Sequence, residues 1–204
     1  TTDSKKIKKI SEKYGAEVPY LRSKKISGDK SVDKEYFDEF INFFVKKKYL
    51  PEFIIQLRPT TPFRDTLVLK KALKLLHSKK NYTSLRSSSI SSHPVEKLFR
   101  IKNNTYTDIN YKKTNENIFN KSGQLFEKTY KPNGYVDIIR TKNLFSSKLY
   151  GNKILPFLTS NTLDIDTPED LQICRSISNE YKKRIISQMI KLSWDCLLLD
   201  LDQL

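Results

Sequence analysis

Phe53-Ile54-Ile55-Gln56-Leu57-Arg58-Pro59-Thr60-Thr61-Pro62-Phe63-Arg64-Asp65 is the stretch that decides how this chain folds. Its first five residues form a short apolar run bounded by Pro51 and Pro59, the pattern of a buried strand. A loop from Arg58 to Asp65 follows, with Asp65 placed as the N-cap of a helix. In that helix Leu69, Leu73 and Leu76 recur on one face. On the N-terminal side, Phe37, Phe40, Ile41 and Phe44 follow the i, i+3, i+4, i+7 spacing of a helix from about Val32 to Lys47, and read as core. On the C-terminal side, Tyr82 to Ser87 reads as a second strand. Helix, strand, helix, strand in this alternation predicts an α/β sheet with parallel strands.

The flanks extend the pattern. Asp3 or Ser4 can cap a first helix in which Ile7, Ile10 and Tyr14 share a face, and Gly15 fits its left-handed stop. Residues 89–132 differ: they are rich in Ser, Asn, Lys and Thr, with one strand-like piece, Leu98 to Ile101. A stretch of this length without strong periodicity is usually functional or an interface element. Tyr135 to Arg140 and Lys153 to Leu158 read as further strands. Pro168 stands in the first turn of a final helix capped by Thr167, with Leu171, Cys174, Ile177 and Tyr181 at helical spacing. No internal repeat is found.

Lys and Arg number 38 against 23 Asp and Glu, a net charge of +15 in 204 residues. Such a balance suits nucleic acid, an anionic surface or an anionic small substrate, and equally a solvated lysine-rich surface, since the lysines are scattered over most of the chain. No apolar run approaches the ~20 residues of a membrane-spanning helix. Cys174 and Cys196 show no CxxC spacing, so neither a disulfide framework nor a zinc site is expected, and a reducing cytosol is the natural setting. His77 and His93 are too few and too distant for a metal cluster. The chain opens on Thr1 and its one methionine is Met189, as expected of a piece of a longer protein.

Three places depart from simple patterning. In the loop Leu57 to Arg64, two prolines stiffen a turn that follows a strand, two hydroxyls can donate, and two guanidiniums suit carboxylate or phosphate. The alternative is an ordinary rigid turn. In Asp164-Ile165-Asp166-Thr167, alternate residues of an extended segment point the same way, so both carboxylates can face one pocket. Paired hard oxygens with open positions suit Mg²⁺ on substrate phosphates, although acidic pairs also occur at ordinary helix starts. Asn133-Gly134, read as a turn entering a strand, lies near Gln124 and Tyr130, and together these offer neutral hydrogen bonds for sugar hydroxyls or amides.

Taken in order, these segments resemble the acylneuraminate cytidylyltransferases, or CMP-sialic-acid synthetases. Thr1-Thr2-Asp3 is similar to the family's "STD", and Gly15-Ala16-Glu17-Val18-Pro19-Tyr20-Leu21-Arg22 to its "YGAEVPFLRP". Leu57 to Arg64 resembles "LQPTSPLR", Lys97 and its neighbours resemble the "PxK" segment, Asn133-Gly134 the "NGA/NGY" strand entrance, and Asp164 to Thr167 matches the "DIDT" metal motif. The resemblance spans about residues 1–180. It implies a three-layer, Rossmann-like nucleotidyltransferase fold with a mostly parallel sheet, and an extended dimerisation arm over 89–132. It further implies transfer of CMP from CTP to an acidic keto-sugar in a cytoplasmic homodimer, with no membrane or nucleic-acid partner as the first reading. Asp164 and Asp166 would hold Mg²⁺ and carry catalysis, and Arg22 and Ser31 would lie near the nucleotide. Arg58, Gln124, Tyr130 and Asn133 would line the sugar pocket, and Lys97 would reach a substrate, across a dimer interface in one arrangement. Arg64 would support its loop rather than touch ligand.

Two departures qualify the resemblance. Arg58 stands where the family usually has Gln, which either grips the substrate carboxylate or marks a branch using another sugar. The family's phosphate-binding "ARxGSKxxxxKN" does not occur in this sequence, so the fragment alone is expected to be inactive. Residues 1–190 are therefore read as a cytidylyltransferase domain without its first strand and CTP loop. In the tail, 191–204, Trp194 to Asp202 resembles the opening motif of haloacid-dehalogenase-type phosphatases, or else simply ends an amphipathic segment. A different class of function, a non-catalytic basic module for RNA or anionic glycans, rests on the charge alone; its affinity would fall steeply with salt.

Overall fold

A computed structural model of the chain describes residues 1–28, 30–109 and 120–178. Within them lie helices α1 (Lys5–Lys13), α2 (Asp33–Lys46) and α3 (Thr66–Ser78), and a further helix over 168–178. The strands are β1 (Phe53–Gln56), β2 (Ser84–Ile90), β3 (Phe99–Lys102), β4 (Thr105–Asp108), β5 (Tyr130–Arg140) and β6 (Ile154–Leu158).

Four strands make one sheet in the order β1-β5-β2-β6, and β3 and β4 make a separate hairpin. β2 and β6 pair in parallel, whereas β5 pairs antiparallel with both β1 and β2. Three strands thus share a direction, as the α/β alternation predicts, and β5 runs against them. The reason lies in the middle segment: Ile90 at the end of β2 pairs with Tyr130 at the start of β5. A chain that re-enters a sheet at the end it left must run back antiparallel.

Alternation along the strands sends side chains to two faces. Phe53, Ile55, Leu85, Val136 and Ile138 face α3, where they bury Leu69, Ala72, Leu73 and Leu76. Ile54 and Ile139 face the other way and pack on Phe37 and Ile41 of α2. The result is the expected three layers, each buried large aliphatic stabilising by roughly 1.5–3 kcal/mol. Asp65 caps α3 through its Oδ1, which accepts from the Leu67 N–H at 2.8 Å. Thr167 and Asp170 cap the helix over 168–178 reciprocally: the Thr167 N–H donates to Asp170 Oδ2 at 2.9 Å, and the Asp170 N–H donates to Thr167 Oγ1 at 3.2 Å.

Elsewhere the structure corrects the sequence expectations. Ser4 caps α1 and Gly15 takes the left-handed conformation (φ +90°), but Ile7, Ile10 and Tyr14 remain exposed. The short strand expected at Leu98 to Ile101 is half of the β3–β4 hairpin. Its turn places Asn103 and Asn104 at positive φ, where Asn is better tolerated than most residues. β5 begins five residues before the expected Tyr135. Asn133-Gly134 therefore lies inside a strand, and Gly134 (φ +65°) supports a bulge between the Arg86 and Ser88 pairings. Tyr181 and Cys196 fall outside the described residues, as does the tail 191–204. Among the described residues no helix is long and apolar enough to cross a membrane.

Candidate active site

The loop after β1 is held from within. Arg64 is buried beneath it, and its Nε donates to the Tyr135 carbonyl at 2.6 Å. Its Nη2 donates to the carbonyls of Arg58 at 2.7 Å and Gly134 at 3.0 Å. Desolvation lowers its pKa to about 10, so the charge persists at neutral pH and strengthens all three bonds. Arg64 is thus the cross-brace between the loop and β5, the supporting role that the resemblance implies.

That brace brings three groups together. The Ile165 N–H donates to the Thr60 carbonyl at 2.8 Å, and buried Thr61 Oγ1 donates to Asp164 Oδ1 at 3.4 Å. A methyl group added at Gly134 would stand 2.9 Å from Thr61 Oγ1, 3.5 Å from Arg58 Cδ and 3.8 Å from Asp164 Oδ2. Glycine is therefore required both by its positive φ and by this close approach. Arg58, Gly134 and Asp164 converge beyond the carboxyl end of β1, the kind of position at which open α/β sheets bind ligands.

On the α2 side of this position is a cavity of about 540 Å³, lined among others by Arg22, Asp33, Tyr36, Gln56 and Arg58. Arg58 Nη2 donates to Asp33 Oδ2 at 2.6 Å. Burial works against the Arg58 charge, but the Asp33 carboxylate outweighs it and holds the guanidinium pKa above its ordinary value. Gln56 Nε2 donates to Asp33 at 3.2 Å and also to the Tyr36 hydroxyl. Arg22 lies over the Tyr36 ring at 5.6 Å, with its Nε donating to Ser27 Oγ at 3.0 Å. Two guanidiniums thus open on one cavity.

The other expected residues are distributed differently. Asp164 is half-buried, whereas Asp166 is exposed and its backbone N–H donates to Asp170 at 3.2 Å. Among the described residues no group of three or more His, Cys, Asp or Glu side chains is placed to hold a metal. Ser31 closes the turn before α2, its Oγ accepting from the Gly28 N–H at 3.2 Å, and does not line the cavity. Lys97 and Gln124 lie in short 3₁₀ turns of the middle segment, and Tyr130 is exposed opposite Ile90. Asn133 is buried, and its Nδ2 donates to Thr159 Oγ1 at 2.6 Å while its Oδ1 accepts from the Tyr135 N–H at 3.3 Å. Its amide ties β5 to the segment after β6 instead of facing the cavity.

Asp33, Tyr36 and Gln56 were not identified from the sequence. Asp33 reads there as an ordinary acidic helix start, and Gln56 as the last polar residue of a buried strand. Only the fold sets them beside Arg58.

No protein-family model matches the chain. It is 27% identical over 192 residues to the N-acylneuraminate cytidylyltransferase of Escherichia coli O18:K1:H7, which covers 91% of this chain and 43% of that protein. It is 28% identical over 183 residues to the CMP-N,N′-diacetyllegionaminic acid synthase of Legionella pneumophila, covering 83% of this chain and 72% of the relative. The chain thus spans less than half the length of the first of these relatives. In fold it is similar to a CMP:2-keto-3-deoxy-manno-octonic acid synthetase complexed with CTP, with a TM-score of 0.58 and 13% identity over 88% of this chain and 79% of the other. In its ordered motifs and along most of its length the chain is thus similar to acylneuraminate cytidylyltransferases and related CMP-sugar synthases, and its fold is similar to that of a CTP-bound CMP-sugar synthetase.

Proposed function

We propose that the protein containing this chain transfers CMP from CTP to an acidic keto-sugar, releasing pyrophosphate. The observation that carries the reading is the convergence of Arg58, Gly134 and Asp164 beyond the carboxyl end of β1. The sugar's anomeric hydroxyl attacks the α-phosphorus, the bond to the bridging oxygen breaks, and pyrophosphate leaves with the electron pair. Catalysis here is mainly positioning of two anionic substrates. Arg22 and Ser31 serve the nucleotide side. Arg58, Gln124 and Tyr130 serve the sugar side, with Asn133 fixing the bulge that shapes it and Lys97 reaching substrate from the middle segment.

Asp164 and Asp166 would hold Mg²⁺. Two carboxylates, one exposed, match a cation that retains waters and also binds substrate phosphates. When bound, it neutralises phosphate charge. The middle segment acts as an arm that docks on a second copy in a cytoplasmic homodimer, with Ile101 (72% exposed) and Tyr106 (63% exposed) among the apolar side chains that docking would cover. In this reading residues 1–190 are the transferase domain, and 191–204 are a tail that resembles the opening of a phosphatase-like domain or ends an amphipathic segment. Pyrophosphate release by the full-length protein, with CTP and N-acetylneuraminate or N,N′-diacetyllegionaminate, tests the reading. Release that requires CTP rather than ATP supports it, and none with any acidic keto-sugar defeats it.

A further inference from the structure

One row of the sheet is polar where its neighbours are apolar. In register, Gln56 of β1 pairs with Asp137 of β5, and Asp137 pairs with Arg86 of β2. Laterally paired residues share a face. Gln56 and Asp137 lie two positions from Ile54 and Ile139 along their strands, so this is the face covered by α2. The row is sequestered: Asp137 is 4% exposed, and both Gln56 Oε1 and Arg86 Nε are buried without a hydrogen bond. A buried polar atom without a partner costs about 1–3 kcal/mol, and each such atom in a fold calls for a cause.

The two arginines on this face differ in how they are neutralised. Arg58 is bonded directly to Asp33 at 2.6 Å. Arg86 has the looser partner, with Asp137 Oδ1 at 3.5 Å from its Nε and no hydrogen bond between them. The Tyr150 hydroxyl donates to Asp137 Oδ2 at 3.0 Å, and the Tyr150 ring lies 4.6 Å from the Arg86 guanidinium carbon. Asp137 and Tyr150 thus hold the guanidinium from its Nε end and one face. Its two terminal nitrogens donate to no described residue, and 34% of the side chain is open. Gln56, at one end of the row, lines the cavity together with Arg58 and Asp33.

We infer that Arg86 is a specificity-determining residue that takes the carboxylate of the acidic sugar through its terminal nitrogens, with Asp137 and Tyr150 as positioning residues. This rests on the proposed transfer reaction. The planar fork fits a carboxylate with two parallel N–H···O bonds. The part that the sequence suggests for Arg58, gripping this carboxylate, thereby passes to the arginine whose own counter-ion is the more weakly engaged.

The test uses the full-length protein and whichever of N-acetylneuraminate, N,N′-diacetyllegionaminate and 2-keto-3-deoxy-manno-octonate binds most tightly, each compared with its neutral 1-carboxamide. At saturating CTP, Arg86→Met should raise KM for the acid about 30-fold, a charge-assisted bidentate contact being worth that much. The kcat at saturating sugar and the KM for CTP should stay within about threefold, and the preference for acid over carboxamide should collapse. Arg86→Met with Asp137→Asn, which leaves no lone buried carboxylate, should give the same result where the single variant folds poorly. Arg58→Gln should keep the preference. A preference that survives in the double variant, or is lost in Arg58→Gln instead, overturns the inference. Saturation-transfer NMR on the same sugars separates the two failures. A parent protein that binds acid over carboxamide only while Arg86 is present, yet releases no pyrophosphate, keeps the inference and loses the reaction. A parent that binds both equally, or neither, overturns the inference.

Discussion

Residues 53–78 and the described parts of residues 89–132 are built on opposite terms. In the first, almost every apolar side chain has a place inside: Ile54 and Ile55 on the two faces of β1, Leu69, Leu73 and Leu76 on one face of α3. In the second, Phe99, Ile101 and Tyr106 lie on a two-stranded hairpin and remain largely exposed, with the Phe99 and Tyr106 rings 4.2 Å apart. An isolated hairpin is marginal in water. The first region therefore draws its stability from its own fold, while the second carries apolar surface that remains exposed among the described residues. The comparison teaches that hydrophobic content alone does not mark a core; periodicity matched by a facing element does.

The sharpest break is Leu76→Ala. Leu76 is fully buried between α3 and the sheet, so the variant should lose about 2–5 kcal/mol of unfolding free energy in a urea titration. Asp166→Asn tests a residue that belongs to neither class. Its carboxylate makes no hydrogen bond to a described residue and is exposed, so melting should barely shift. If the pair holds a cation, turnover of the full-length enzyme should fall roughly a hundredfold, partly recovered by excess Mg²⁺. The opposite pattern, lower melting with intact turnover, would return Asp166 to an ordinary helix start.

Gly134→Ala comes next, at about 1–3 kcal/mol, because the new methyl meets Thr61 Oγ1 at 2.9 Å and the backbone sits at φ +65°. Adding Thr61→Ala should recover part of that loss; no recovery would place the whole cost in the backbone. The smallest effect is expected in the hairpin, where Ile101→Ser should change the unfolding free energy by no more than about 0.5 kcal/mol. Sedimentation gives the contrast: if the hairpin docks on a second copy, the same substitution should move the protein toward monomer at unchanged stability.

The legibility of the fold followed the same division. α2, β1 and α3 were readable because each apolar spacing met a partner of matching period, and Asp65 and Thr167 carried cap chemistry in their own side chains. The α1 stripe of Ile7, Ile10 and Tyr14 has the same period as the α3 stripe, yet it lies exposed. Nothing local to α1 distinguishes the two cases, since the difference is whether a facing surface exists. The Asn103-Asn104 hairpin turn has side chains that suit positive φ, but the many other polar residues of the middle segment hide that local signal.

At the candidate site, the loop and the acidic pair were visible as motifs, because prolines, arginines and adjacent carboxylates have consequences within a few residues of chain. The sequence by itself determined the three layers, the elements that alternate to build them, and the order of the motifs along them. Only tertiary structure decided that β5 runs antiparallel, that Asn133 is an internal tie, and that Asp33 neutralises Arg58 while Arg86 holds its carboxylate loosely. Capping and periodicity act over three or four residues, which a sequence displays. Charge pairing and strand direction are settled between residues 25 or 51 positions apart, such as Asp33 with Arg58 and Arg86 with Asp137, and these meet only once the chain has folded.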